Sequence, residues 1–138
     1  MTALTLPRAE DRFSSVLRLA HENAATLDVA DLAEHAGYSP FHFTRIFGAR
    51  MGIGPGQHLI ALRIDAAKRM LLAGDDAVID VAAAVGFDSL SSFSRRFRST
   101  VGVAPGQLRR LAQTVAEDRK STRLNSSHPL SSRMPSSA

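Results

Sequence analysis

The sequence contains no cysteine. Disulfides, thiolate zinc sites and thiol nucleophiles are excluded together, and a reducing cytoplasm is the compartment that fits. No apolar run approaches the roughly 20 residues of a membrane span, and residues 1–15 lack a secretory signal pattern. No membrane partner is therefore expected. No segment alternates apolar and polar residues over a useful length, so strands are not expected either. Residues 89–116 hold no acid at all. With 138 residues and 44% apolar content, the chain can build one small domain, or two very small units sharing a core.

What is present is a duplication. Residues 29–57 read VADLAEHAGYSPFHFTRIFGARMGIGPGQ, and residues 78–107 read VIDVAAAVGFDSLSSFSRRFRSTVGVAPGQ. Asp31, Ala33, Gly37 and Tyr38 recur 49 positions later as Asp80, Ala82, Gly86 and Phe87. Phe43, Arg45, Phe47, Gly52, Pro55, Gly56 and Gln57 recur 50 positions later as Phe93, Arg95, Phe97, Gly102, Pro105, Gly106 and Gln107. The second copy thus carries one extra residue just after its glycine. A repeat that keeps glycines, a proline and an apolar rhythm is a repeated supersecondary unit. Here the unit reads helix, turn, helix.

The punctuation sets the element boundaries. A first helix is expected from near Pro7 to Asn23, with Phe13, Val16, Leu17 and Ala20 inward. Asp28 caps a helix over about 29–36 that buries Leu32, Ala33 and Ala36, with Leu27 and Leu32 as a hydrophobic staple. Gly37 provides the left-handed corner. Ser39 and Pro40 then start a helix with Phe43, Ile46 and Phe47 inward, and Gly52 stops it. A long helix follows from Pro55 to about Ala73, ended by Gly74, with Leu59, Leu62, Ala66 and Met70 as its expected buried face. Its length, about 27 Å at 1.5 Å per residue, suits a spacer. The second unit repeats the scheme over about 78–85 and 90–100. Ala77 stands where a capping serine is expected. A last helix opens at Pro105 and reaches about Val115. The fold class expected is all-α, with about seven helices.

Charge placement is more telling than the net value of +4. Residues 39–69 carry Arg45, Arg50, Arg63, Lys68 and Arg69 against Asp65, and residues 89–116 carry Arg95, Arg96, Arg98, Arg109 and Arg110. Stretches 1–38 and 70–88 are net negative. Positive charge collects on the second helix of each repeat and just beyond it.

Residues 118–138 differ in composition. They are rich in Ser, Arg and Pro, show no apolar period, and carry Arg119, Lys120, Arg123 and Arg133 against Asp118, a net of +3. A disordered basic tail is one reading. The sharper one is that Asp118 to His128 resembles the translation of a common sequencing adapter, with Ser132 to Ala138 its downstream part in the same frame. On that reading the tail carries no function, the natural gene continues past Glu117, and the chain is an N-terminal fragment.

Two helix-turn-helix units with A-x-x-x-G-[YF] before each turn, F-[TS]-R-x-F in each second helix and G-x-x-PGQ after it resemble the DNA-binding domain of the AraC/XylS family of transcription regulators. The resemblance covers residues 8–113. It divides them into a first unit of about 8–53, a linker helix of about 55–73 and a second unit of about 76–113. Two departures stand out: Ala77, and the absence of the regulatory domain that many members carry. The resemblance implies a sequence-specific regulator of cytoplasmic, nucleoid-associated location, with duplex DNA as partner and no cofactor. RNA polymerase and a lost C-terminal effector domain are further candidate partners.

The physical scheme needs no family name. A B-DNA major groove admits one α-helix, and two such helices about 34 Å apart can enter successive grooves of one face. DNA bending at a cost of a few kcal/mol can correct a mismatch in spacing. Candidate DNA contacts in the first unit are Phe41, His42, Thr44 and Arg45, with Arg50 nearer the backbone. Arg45 suits guanine O6 and N7, and Phe41 suits a thymine methyl. In the second unit they are Ser91, Ser92, Arg95 and Arg96, with Arg98 toward phosphate. Backbone N–H groups near Ser39 and Ser89 suit phosphates.

Each assignment has a plainer counterpart. Arg45 and Arg95 could pair with acids of the preceding helix, His42 could be a solvated helix residue, and Phe41 could be half-buried beside Tyr38. Phe43, Phe47, Phe93 and Phe97 read as core rather than as stacking platforms. His21, His35, His58 and His128 share no ligand spacing, so no metal is expected. GIGPGQ and GVAPGQ lack the Lys-[ST] ending of a phosphate loop, and Ser91, Ser92 and Ser94 lack a local base. No catalytic residue is expected. Two further functions compete. Some DNA-repair methyltransferases carry a similar domain but need reactive cysteines; a lost downstream part could supply them, or sense a ligand. A module docking on RNA polymerase without reading DNA is the other.

Overall fold

The computed structural model describes residues 9–124, which form seven helices and no strand. These are α1 (Ala9–Asn23), α2 (Val29–Ala36), α3 (Pro40–Met51), α4 (Pro55–Ala73), α5 (Val78–Ala84), α6 (Leu90–Val101) and α7 (Pro105–Leu124). The all-α expectation holds. Pro7 and residues 125–138, where most of the adapter-like stretch falls, lie outside the described residues. Among the described residues no helix is long and apolar enough to cross a membrane.

The turns follow from local chemistry. Asp28 accepts from the Asp31 amide at 2.9 Å, and the Asp31 carboxylate accepts from the Asp28 amide at 3.0 Å, a reciprocal capping box. Helix α2 ends with the Gly37 amide on the Glu34 carbonyl and the Tyr38 amide on the Ala33 carbonyl. Helix α5 ends on the equivalent pair, Gly86 to Ala83 and Phe87 to Ala82. Both turn glycines take positive φ, 81° and 99°, where a Cβ would be strained. Ser39 and Ser89 cap α3 and α6 by accepting from the His42 and Ser92 amides. Ala77 makes no side-chain cap, as its residue type requires.

Two separate cores result. Phe13, Val16, Ala20, Leu32, Ala33, Ala36, Phe43, Phe47 and Leu59 form the first. Ile64, Ala67, Leu71, Val81, Ala82, Val85, Phe93 and Phe97 form the second. In each, the two phenylalanines of the second helix of the repeat, α3 or α6, are fully buried and pack with tilted rings, centroids 5.6 Å apart for Phe43 and Phe47 and 5.5 Å for Phe93 and Phe97.

Two expectations need correction. The expected α4 stripe is incomplete: Leu59 is buried and Leu62 packs half-buried on the first core, and Ala66 and Met70 pack half-buried on the second, but they are not the whole buried face. The fully buried positions are Pro55 at the head of the helix, Leu59 in the first core, and Ile64, Ala67 and Leu71 in the second. One helix serving two cores must change its inward direction, so a single 3.6-residue period captures only part of it. Helix α7 also runs on past Val115 to Leu124, taking in residues 118–124 that were expected to lack structure. No proline or glycine interrupts Gln107 to Leu124, so nothing in the local chemistry ends the helix earlier.

Candidate nucleic-acid interface

Helices α3 and α6 each bury one edge and leave the opposite edge open. On α3, Phe41, His42, Thr44 and Arg45 are exposed while Phe43 and Phe47 are sealed. On α6, Ser91, Arg95, Arg96 and Arg98 are exposed, Ser92 is half-buried, and Phe93 and Phe97 are sealed. The phenylalanines thus anchor each helix in its unit and turn the polar edge outward.

Phe41 is 74% exposed, not half-buried. Tyr38, its expected neighbour, instead meets the His42 ring edge-on at 5.1 Å. One turn further along α3, the Arg45 guanidinium lies over the Phe41 ring, 5.9 Å from its centroid. The structure therefore brings Phe41 and Arg45 together. At the equivalent place on α6, Ser91 precedes Arg95 and offers no ring.

The alternative ion pairs of Arg45 and Arg95 with acids of the preceding helix are not found among the described residues. Among the described residues the one ion pair joins Arg69 to Asp65, four residues apart on α4 and largely exposed. Arg45 and Arg95 keep their charge unneutralised by any described acid. No acid sits in the first turn of α3 or of α6, whereas α2 and α5 carry Asp31 and Asp80 there. The positive ends of α3 and α6 are left open to an anion.

Several side chains are partly committed. The Thr44 hydroxyl donates to the Pro40 carbonyl at 2.8 Å, so it offers an outside partner only lone pairs and a methyl. Ser39 and Ser89 accept through Oγ from the chain and keep their hydroxyl protons for an outside acceptor. Pro40 removes one amide from the first turn of α3 that α6 keeps at Leu90. Arg50 is exposed, but its guanidinium stacks on Phe13 of α1, 4.6 Å from the ring centroid.

Two members of the basic stretches turn out to be struts. Arg63 of α4 is half-buried and donates to the Ala24 carbonyl at 2.7 Å and the Leu27 carbonyl at 2.8 Å. Arg109 of α7 donates to the Leu71 carbonyl at 3.3 Å and to the Asp76 carbonyl. Leu27 and Asp76 are equivalent positions just ahead of the two repeats, preceding α2 and α5 respectively. Each arginine therefore ties the entrance of a unit to a helix behind it. In the sequence both are simply members of the two basic stretches. Nothing in their spacing signals a main-chain acceptor more than 30 residues away.

Comparison with known proteins places this geometry. The helix-turn-helix domain family matches residues 32–111. The transcriptional activator AarP of Providencia stuartii is 36% identical over 92 residues, spanning 67% of each chain. The DNA-binding domain of the global transcriptional factor AdpA, solved in complex with a target DNA, aligns at 32% identity with a TM-score of 0.70, covering 75% of this chain and 94% of that one. An AraC-type DNA-binding domain protein from Chromobacterium violaceum shares the fold at 23% identity and a TM-score of 0.68, covering 75% of this chain and 94% of that one. The chain spans only 32% of the length of two other regulators, from Mycobacterium tuberculosis and Rhodococcus.

Proposed function

The chain belongs to the AraC-type helix-turn-helix family, and on that premise we propose that it regulates transcription by reading an asymmetric duplex site through α3 and α6. The observation that carries the reading is a pair of capped helices, each anchored by two buried phenylalanines and each presenting an exposed arginine with no acidic partner among the described residues.

In this reading Arg45 and Arg95 address guanine edges, because a guanidinium fork matches O6 and N7. Phe41 meets a thymine methyl with the open face of its ring. His42, Thr44, Ser91, Ser92 and Arg96 contact bases or sugars at the flanks of each box. Ser39, Ser89 and Arg98 hold phosphates, and Arg50 does so from its stack on Phe13. Phosphate contacts set register, and base contacts set sequence preference. The two helices differ at most outward positions, so the two boxes differ as well. Duplex DNA is the partner, and a cytoplasmic, nucleoid-bound location follows from it.

Selection from a random duplex library, followed by fluorescence anisotropy on the recovered site, tests this. A recovered motif with two separated boxes, bound more weakly as salt rises, is the expected result. Failure to enrich any motif, together with salt-independent anisotropy, overturns the reading.

A further inference from the structure

The two turn glycines look alike in the sequence and differ in their surroundings. At Gly37 an added Cβ would meet nothing within 4 Å. At Gly86 it would stand 2.5 Å from the Ala25 carbonyl oxygen and 3.1 Å from the Ala25 Cα and carbonyl carbon. Ala25 belongs to the α1–α2 loop of the first unit. Gly86 belongs to the α5–α6 turn of the second. The bare Cα of Gly86 therefore rests directly on the backbone of the other unit.

The surface it rests on is itself held. Arg63 grips the carbonyls of Ala24 and Leu27, on either side of Ala25. Arg63 is on α4, and α4 also supplies Ile64, Ala67 and Leu71 to the second core. Val85, next to Gly86, is buried in that core. Three connections therefore close a triangle: α4 to the loop through Arg63, α4 to the second unit through its core, and the second unit to the loop through Gly86. A single helical linker leaves freedom to bend and twist. A second contact away from the linker removes it.

We propose that Gly86 is a positioning residue that seats the second unit on the Ala25 backbone and fixes the separation of the two recognition helices. The first unit needs a glycine at Gly37 for backbone conformation alone. The second needs one for conformation and for contact. An alanine at this place must move the carbonyl roughly 0.9 Å away to reach ordinary contact at 3.4 Å. Because the turn leads straight into Ser89 and α6, that movement tilts a recognition helix. The consequence for DNA, a narrow tolerance for the distance between the two boxes, rests on the function proposed above. The seat does not.

The absence of native cysteine allows a direct test. Ala49→Cys on α3 and Ser99→Cys on α6, both at exposed positions, accept a pair of spin labels. Pulsed electron-spin distance measurement is then made without DNA on this pair alone and combined with Gly37→Ala, Gly86→Ala or Arg63→Gln. The parent and Gly37→Ala are expected to share one narrow distribution. Gly86→Ala is expected to shift or broaden it. Arg63→Gln, which frees the platform without touching the turn, is expected to broaden it too and keeps the test alive if Gly86→Ala does not fold. Distributions unchanged by the variants that fold overturn the proposal. On the selected duplex, boxes moved apart or together by one base pair should be discriminated by the parent and less so by Gly86→Ala. Absence of any DNA binding would defeat the functional reading and leave the distance result to judge the seat.

Discussion

The guanidinium of Arg45 covers the ring of Phe41 one turn back on the same helix face, at 5.9 Å, and no described acid competes for it. An arginine restrained in this way loses less rotamer freedom when it meets a base than one extending freely into water. Arg95, with Ser91 in the ring's place, has no such restraint.

Replacing either arginine by alanine should relax base preference at one position of one box and weaken binding by about 1–3 kcal/mol. Phe41→Ala should weaken binding to the selected site and also raise sequence tolerance at the Arg45 position. Ser91→Ala should leave the Arg95 position unchanged. Anisotropy titrations on single-base variants of the selected duplex measure all four.

Arg63 and Arg69 sit six residues apart on α4 and should differ sharply in their effect on stability. Arg63→Gln breaks two charge-assisted bonds to main-chain carbonyls, each of a class worth about 1.5–3 kcal/mol. Arg69→Gln breaks an exposed i,i+4 pair, of a class worth less than about 0.5 kcal/mol. Urea denaturation should show a clear drop in midpoint for the first and almost none for the second.

Ala77→Ser should stabilise the protein. Ala77 already has the extended backbone of a cap, φ −60° and ψ 148°, but no side-chain acceptor for α5. A serine there would gain about 1 kcal/mol, or about 4 °C in melting temperature. Asp28→Ala should lose a similar amount by opening the capping box of α2. Calorimetric melting of the two variants decides the matter.

Acidification should destabilise the first unit through His58. Its imidazole is driven below the ordinary value of 6.5, first by burial and then by the positive charge of nearby His21. Its ring also packs on Phe47, 5.3 Å between centroids. The unfolded chain therefore takes up the proton at higher pH than the folded one. The stability this provides is complete above pH 6.5 and is lost as pH falls through the folded value. His58→Gln should flatten the pH dependence of the unfolding free energy over that interval.

Much of this architecture was legible in the sequence because its signals are local. A glycine after Ala36 or Val85, a serine before α3 or α6, and a proline at the head of α4 or α7 act within one turn of themselves. The four buried phenylalanines were legible because the duplication states their spacing twice. The α4 stripe was incomplete because periodicity assumes one core per helix. Arg63 and Arg109 were not separable from the other arginines of the basic stretches because a carbonyl acceptor leaves no residue-type signature. Gly37 and Gly86 were indistinguishable because contact with a distant backbone is written nowhere near either of them. At the candidate interface, residue types and, Ser92 apart, exposed positions were legible on α3 and α6. The stacking of Arg45 on Phe41 and of Arg50 on Phe13 was not, since each depends on a rotamer choice.

The fully buried residues of the two cores follow one another in order of synthesis, with only half-buried Ile60 and Leu62 interleaved between them. Every residue of the first lies before Arg63, and the fully buried members of the second begin at Ile64. A nascent chain can therefore condense its first half while the second is still being made. Helix α4 then emerges already anchored at one end, a template on which the later half assembles instead of searching for its own nucleus.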